Sequence, residues 1–173
     1  MFRKSIDNQL VVAASCGEPE DICLLLDDGV PIDLPNEDGD TALIVAASWG
    51  HLDIVSLLLD RRAAIDHQDH NGDTALIEAA RDGELESVRL LLDRGAVIDH
   101  KNKLDNTALT EATHEGHSKI VELIVKQVEN QKEEIKSFFS GNSSTGFFLP
   151  RVVIESVLNP YLELELSPQP RKP

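Results

Sequence analysis

Thr41-Ala42-Leu43 returns as Thr74-Ala75-Leu76 and again as Thr107-Ala108-Leu109, each 33 residues after the last. More than the tripeptide keeps this interval. Ala46-Ala47 recurs as Ala79-Ala80, Gly50 as Gly83 and Gly116, Leu57-Leu58-Leu59 as Leu90-Leu91-Leu92, and Ile65-Asp66-His67 as Ile98-Asp99-His100. The same step taken backward lands on Leu10, Ala13-Ala14, Gly17, Leu24-Leu25-Leu26 and Ile32-Asp33, with Asn8-Gln9 in place of Thr-Ala. A constant stride of this length marks stacked units that each touch only their neighbours, so function is to be sought on exposed faces and not in a buried pocket. A first unit that departs from the pattern suits the end of an array, where one face meets water.

One unit, residues 36–68, shows the internal order. Asn36-Glu37-Asp38-Gly39-Asp40 is a turn-forming run. Thr41 follows as a helix N-cap, its hydroxyl suited to accept from the first free amides. The Ala-rich stretch Ala42 to Trp49 predicts a first helix ended by Gly50. Leu52 to Asp60 predicts a second, with Leu52, Val55, Leu58 and Leu59 on one face and Arg61-Arg62 at its close. Two such short helices cannot enclose a core; the small alanines let helices approach, and the leucine triplets fill the space to the next unit.

Gly72-Asp73-Thr74-Ala75-Leu76-Ile77-Glu78-Ala79-Ala80, then Leu90-Leu91-Leu92 and Gly95-Ala96-Val97-Ile98-Asp99, resembles the ankyrin repeat, a finger-like turn followed by two antiparallel helices. The resemblance covers about residues 4–135, in units of about 4–35, 36–68, 69–101 and 102–135. It implies an all-α solenoid. Ala stands in place of the family's Pro, and Ile44, Ile77 and Thr110 in place of its His, which removes a buried Thr–His bond. Asp33, Asp66 and Asp99 stand where the family usually has Asn. Arg62 replaces the Gly after the second helix, and Asp105 the Gly of the last finger. Positive φ costs a non-Gly residue about 1 kcal/mol, so the fourth finger is expected to be the least regular.

The formal net charge is −15 over 173 residues. Residues 136–173 hold four basic and three acidic groups, which leaves −16 on the repeats. Such an array repels phosphate backbones and steers basic proteins toward itself. The sequence has no apolar run long enough for a membrane span and no secretory leader in Met1-Phe2-Arg3-Lys4-Ser5. An intracellular, cytoplasmic protein is expected, with a nuclear or effector-like secreted one left open. Cys16 and Cys23 read as two small buried thiols of such a compartment, against a disulfide.

In the resembling family the fingers and first helices line a concave groove, and the resemblance implies non-catalytic protein binding there. The matching positions include Asp40, Ser48 and Trp49 in the second unit, His70, Asp73, Glu78, Arg81 and Asp82 in the third, and Glu111, His114 and Glu115 in the fourth. Trp49 is the sole tryptophan, where Cys16, Asp82 and Glu115 are its equivalents. It is either an exposed anchor for a guanidinium or apolar group, or a cover over its neighbour unit. Asp40, Asp73, Glu78 and Glu111 read as an acidic strip selecting a basic partner, with Trp49 and Arg81 as central contacts. The bland alternative for Glu78 and Glu111 is a carboxylate satisfied by the adjacent finger.

No chemistry-bearing constellation stands out. His114-Glu115-Gly116-His117 places its histidines three apart with Gly between, whereas a zinc-peptidase helix needs them four apart. His67 and His70 are surface turn residues. There is no phosphate loop and no nucleophile elbow, so no enzyme, cofactor or metal is expected.

Lys119 to Phe139 predicts one long helix that overshoots the last unit. Beyond it, residues 136–173 form an extension with a Ser/Gly-rich linker and a Pro-rich end. Four of the five Phe and the only Tyr fall after residue 136, so the extension either caps the last repeat or docks a second protein. Leu149, Pro150, Ile154, Leu158 and Tyr161 weakly resemble the start of an F-box, which would imply an adaptor for ubiquitin-ligase machinery. Val152 stands where that family usually has Glu. The chain is expected to be a monomer or a weak homo-oligomer through this tail.

Overall fold

A computed structural model describes the backbone of residues 8–139 and the side chains of 8–133. The described residues form eight α-helices and no strand: α1 (Gln9–Cys16), α2 (Pro19–Asp27), α3 (Ala42–Ser48), α4 (Leu52–Asp60), α5 (Ala75–Asp82), α6 (Leu85–Asp93), α7 (Ala108–His114) and α8 (Ser118–Phe139). The all-α repeat stack that the ankyrin resemblance implies is therefore the fold of the described residues. The chain divides into compact units between Lys126 and Gln127, inside α8. Leu149, Pro150, Ile154, Leu158 and Tyr161 lie outside the described residues.

The threonine of each repeated tripeptide caps its helix. Thr41, Thr74 and Thr107 Oγ1 accept from the amides of Ile44, Ile77 and Thr110 at 3.3–3.4 Å. Asn8, their counterpart in the first unit, makes no such bond. The first helices stack on one another, α1 on α3, α3 on α5 and α5 on α7, while α2, α4 and α6 form a second layer behind them. Ala46, Ala47, Ala79 and Ala80 are fully buried at the seams, and Leu43, Leu58, Leu76 and Leu91 fill the gap between layers. The first unit turns two core positions polar. Gln9 replaces the buried Ala42 and Asp21 the buried Ile54, and both are exposed.

The fingers rest on one repeated side chain. Asn36 Oδ1 accepts from the amides of Asp38 and Asp40 at 2.9 and 2.8 Å. Asp69 Oδ1 does the same for Asn71 and Asp73, and Asn102 Oδ1 for Leu104 and Asn106. Asp105 takes φ +62° in the fourth finger. That finger is nevertheless as regular as the others, because Asn102 closes it with the same bonds and its amide still donates to Asn106 O at 2.9 Å. Arg62, at φ +69°, fills the place of the missing Gly.

Neighbouring fingers are joined backbone to backbone, His70 N to Asp38 O at 3.0 Å and Lys103 N to Asn71 O at 2.9 Å. At the far end of each unit, Asp33 and Asp66 accept the amides of Ala64 and Val97 in the following unit, at 2.8 and 2.9 Å. Both cysteines are free, and Cys16 is exposed and Cys23 half-buried, in contrast to the buried thiols expected. The equivalent positions in the later units, Trp49, Asp82 and Glu115 for Cys16 and Ser56, Arg89 and Glu122 for Cys23, are not buried either.

Candidate protein-binding face

Stacking α1, α3, α5 and α7 at a fixed stride aligns equivalent residues in rows. One row is Val12, Val45, Glu78 and Glu111. A second is Ser15, Ser48, Arg81 and His114. The third, at the helix C-termini, is Cys16, Trp49, Asp82 and Glu115, all four exposed. A hydrogen bond of 2.6 Å from Ser48 Oγ to Asp82 Oδ2 crosses from the second unit to the third and fixes the alignment of the last two rows. Trp49 is 65% exposed, so its indole does not cover the core. His114 is the most open side chain of its row and meets Glu115, Nδ1 to Oε1 at 3.1 Å.

Arg81 does not stand free beside Trp49. Its guanidinium bonds to Glu78 one turn earlier, to Asp73 Oδ2 at 2.9 Å, and to Glu111 of the next unit at 3.2 and 3.3 Å. Asp73 and Glu111 are buried. Asn102 donates to the other oxygen of Asp73 at 2.7 Å, and Asn106 to Glu111 at 2.9 Å. The residues read as an open acidic strip are thus gathered under one arginine, with two of them closed off from solvent. Asp40 is apart from this node, half-buried and bonded to Asn36 Nδ2 at 3.1 Å. His70 is exposed on the third finger, where its carbonyl accepts from Lys103 Nζ at 2.7 Å.

One guanidinium among three carboxylates leaves an excess of negative charge, and the titrations divide accordingly. The Arg81 hydrogen bond holds the Glu111 carboxyl below the usual range. Glu78 is pushed up to about 7, chiefly because burial disfavours its charged form; Arg81 opposes the rise, while Asp73 and Asp82 add to it. Burial works against the Arg81 cation, but the hydrogen bonds to Glu111 and Asp73 together with the nearby carboxylates outweigh it and hold the guanidinium further toward its cationic form. Glu78 therefore carries a proton that is exchanged near neutrality.

Asp69, Asp73 and Glu78 bring carboxylate oxygens within 4.8 Å of one another. Donors already meet them: the amides of Asn71 and Asp73 and the Asn71 side chain on Asp69, Asn102 and Arg81 on Asp73, and Arg81 on Glu78. His117 points its Nε2 at Arg81 O, 2.9 Å away, and does not converge with His114.

Stacked helical pairs that hold their polar groups in inter-unit bonds and expose a row of unlike side chains form a recognition scaffold. A family model described as ankyrin repeats (3 copies) matches residues 10–102 and again 62–137, and the chain belongs to the ankyrin repeat family. Ankyrin repeats are generally protein–protein interaction modules and typically not enzymes. No similar protein was found among curated sequences. Among the described residues, no helix is long and apolar enough to cross a membrane.

Sequence reasoning missed three sets of structural residues. The finger acceptors Asn36, Asp69 and Asn102 lie 33 apart, a signal that was open to reading. Asp33 and Asp66 carry the same 33-residue signal, and each accepts an amide of the following unit. The third set is His51 and His117, whose Nε2 atoms reach back to Ser15 O and Arg81 O, each in the preceding unit.

Proposed function

We propose that this chain is a non-catalytic binding module that holds a segment of another protein along the groove formed by its fingers and first helices. The observation that carries this reading is the exposure of Trp49. A large aromatic side chain left in water at a position where the fold is content with Cys, Asp or Glu serves contact rather than packing. The excess of carboxylates favours a partner with basic residues. Two free thiols fit an intracellular setting.

The test is Trp49→Ala, examined for stability and for binding together. The substitution is expected to leave the thermal midpoint within a degree or two and to abolish partner capture. A large fall in midpoint, or capture unchanged, would overturn the reading.

A further inference from the structure

The groove is not uniform along its length. Its first two units present Val12, Val45, Cys16, Trp49, Ser15 and Ser48, with no ionised group in the three rows. Its last two present Glu78, Asp82, Arg81, Glu111, His114 and Glu115 in the same rows. Val12 and Trp49 are exposed on the neutral half. Asp82 and Glu115 are exposed on the ionic half. The guanidinium in these rows is already shared among Asp73, Glu78 and Glu111, while Asp82 meets the Ser48 hydroxyl and Glu115 the His114 imidazole.

Resting on the binding reading above, we propose that the groove orients its ligand: a partner segment lays one large apolar side chain on Trp49 and a lysine or arginine on Asp82 and Glu115. Packed helices sit about 8–10 Å apart, so the two contacts are one to two helix steps, about 8–20 Å, from one another. An extended segment covers that in about three to six residues. Trp49 excludes water from the apolar contact, and the paired carboxylates discriminate against an acidic side chain at the far end. Reversal of the segment would take its cation off the carboxylates and set its apolar group against them, so one direction along the array is favoured.

The experiment is selection of a randomised twelve-residue peptide display pool on the full chain, in parallel with Trp49→Ala and with the double variant Asp82→Asn, Glu115→Gln. Both sets of substitutions are at exposed side chains, and Asn at 82 keeps an acceptor for Ser48. The wild-type chain is expected to enrich peptides with a large apolar residue and a Lys or Arg spaced as above. An enriched peptide, synthesised, should lose at least tenfold in affinity in each variant, and the steep weakening with salt should be lost in the double variant but kept in Trp49→Ala. Enriched peptides that lack the cation, or that bind the double variant equally, overturn the oriented-ligand inference while the Trp49 groove reading stands. Binding indifferent to Trp49→Ala, or no enrichment over the bare support, overturns both.

Discussion

Arg81 on α5 meets Glu111 on α7 through two hydrogen bonds, Nε to Oε2 at 3.3 Å and Nη2 to Oε1 at 3.2 Å, so one guanidinium ties the third unit to the fourth. Removing it would leave Asp73 and Glu111 buried without a counter-charge. Breaking a buried pair in this way costs about 3–5 kcal/mol; Arg81 is 29% exposed, so Arg81→Met is expected to cost about 2–3 kcal/mol. Urea unfolding at pH 7.5 measures it. Arg81→Lys should recover only part of the loss, since an ammonium cannot span carboxylates on two helices with a planar fork.

Glu78 gives the array a pH dependence of unusual sign. Its folded pKa, about 7, lies above that of an unfolded glutamate. Between about 4.5 and 7 the folded chain holds a proton that the unfolded chain has released, so stability falls as pH rises through that window and levels off above it. Glu111, whose folded pKa is lowered, works in the opposite sense at lower pH, losing its contribution as pH falls through that value. Glu78→Gln should therefore flatten the decline between pH 5 and 7.5, by on the order of 2 kcal/mol. Urea midpoints of both proteins across that range provide the comparison, and parallel curves would refute the assignment.

Gly83 and Gly116 occupy equivalent places but differ in what surrounds them. Both have positive φ, +86° and +79°. A Cβ on Gly83 would lie 2.6 Å from His117 Cε1, whereas one on Gly116 would meet nothing within 4 Å. Gly116→Ala should cost about 1 kcal/mol, the strain of a left-handed alanine. Gly83→Ala should cost about 1 kcal/mol more, because His117 must move off Arg81 O as well. Equal losses in thermal unfolding would show that the imidazole yields freely.

Ser87 sits fully buried on α6, where the units on either side have Ile54 and Ile120. Its hydroxyl has no hydrogen-bond partner. Ser87→Ala removes an unsatisfied polar group and raises helix propensity, so a stabilisation of about 0.5–1 kcal/mol is expected. A loss of stability in the variant would mean that the hydroxyl is bonded in solution.

Much of the fold could be read directly because a short repeat makes local chemistry report on global structure. Thr41, Thr74 and Thr107 announce their helices, and the spacing that aligns them in sequence also aligns them in space. What the sequence withheld was the state of charged side chains between units. Asp73 and Arg81 each read as a surface contact when taken alone, since charged residues are seldom buried, and Glu78 and Glu111 read either that way or as carboxylates satisfied by the adjacent finger. Their closure depends on Arg81 leaning toward the fourth unit, one turn from its own equivalent, His114. A search for opposite charges about 30 residues apart would have found the pair Arg81 and Glu111. The exposure of Trp49, by contrast, follows from the small and polar side chains at its equivalent positions, which show that nothing there needs filling.

The most direct measurement of the binding account uses the same residue, because Trp49 is the only tryptophan and its emission reports on one place. The free chain should emit as a solvated indole, and saturation with a peptide selected on the wild-type chain should shift that emission to the blue. An emission already blue-shifted without peptide, or one unmoved at saturation, would contradict the claim that Trp49 waits in water for a partner.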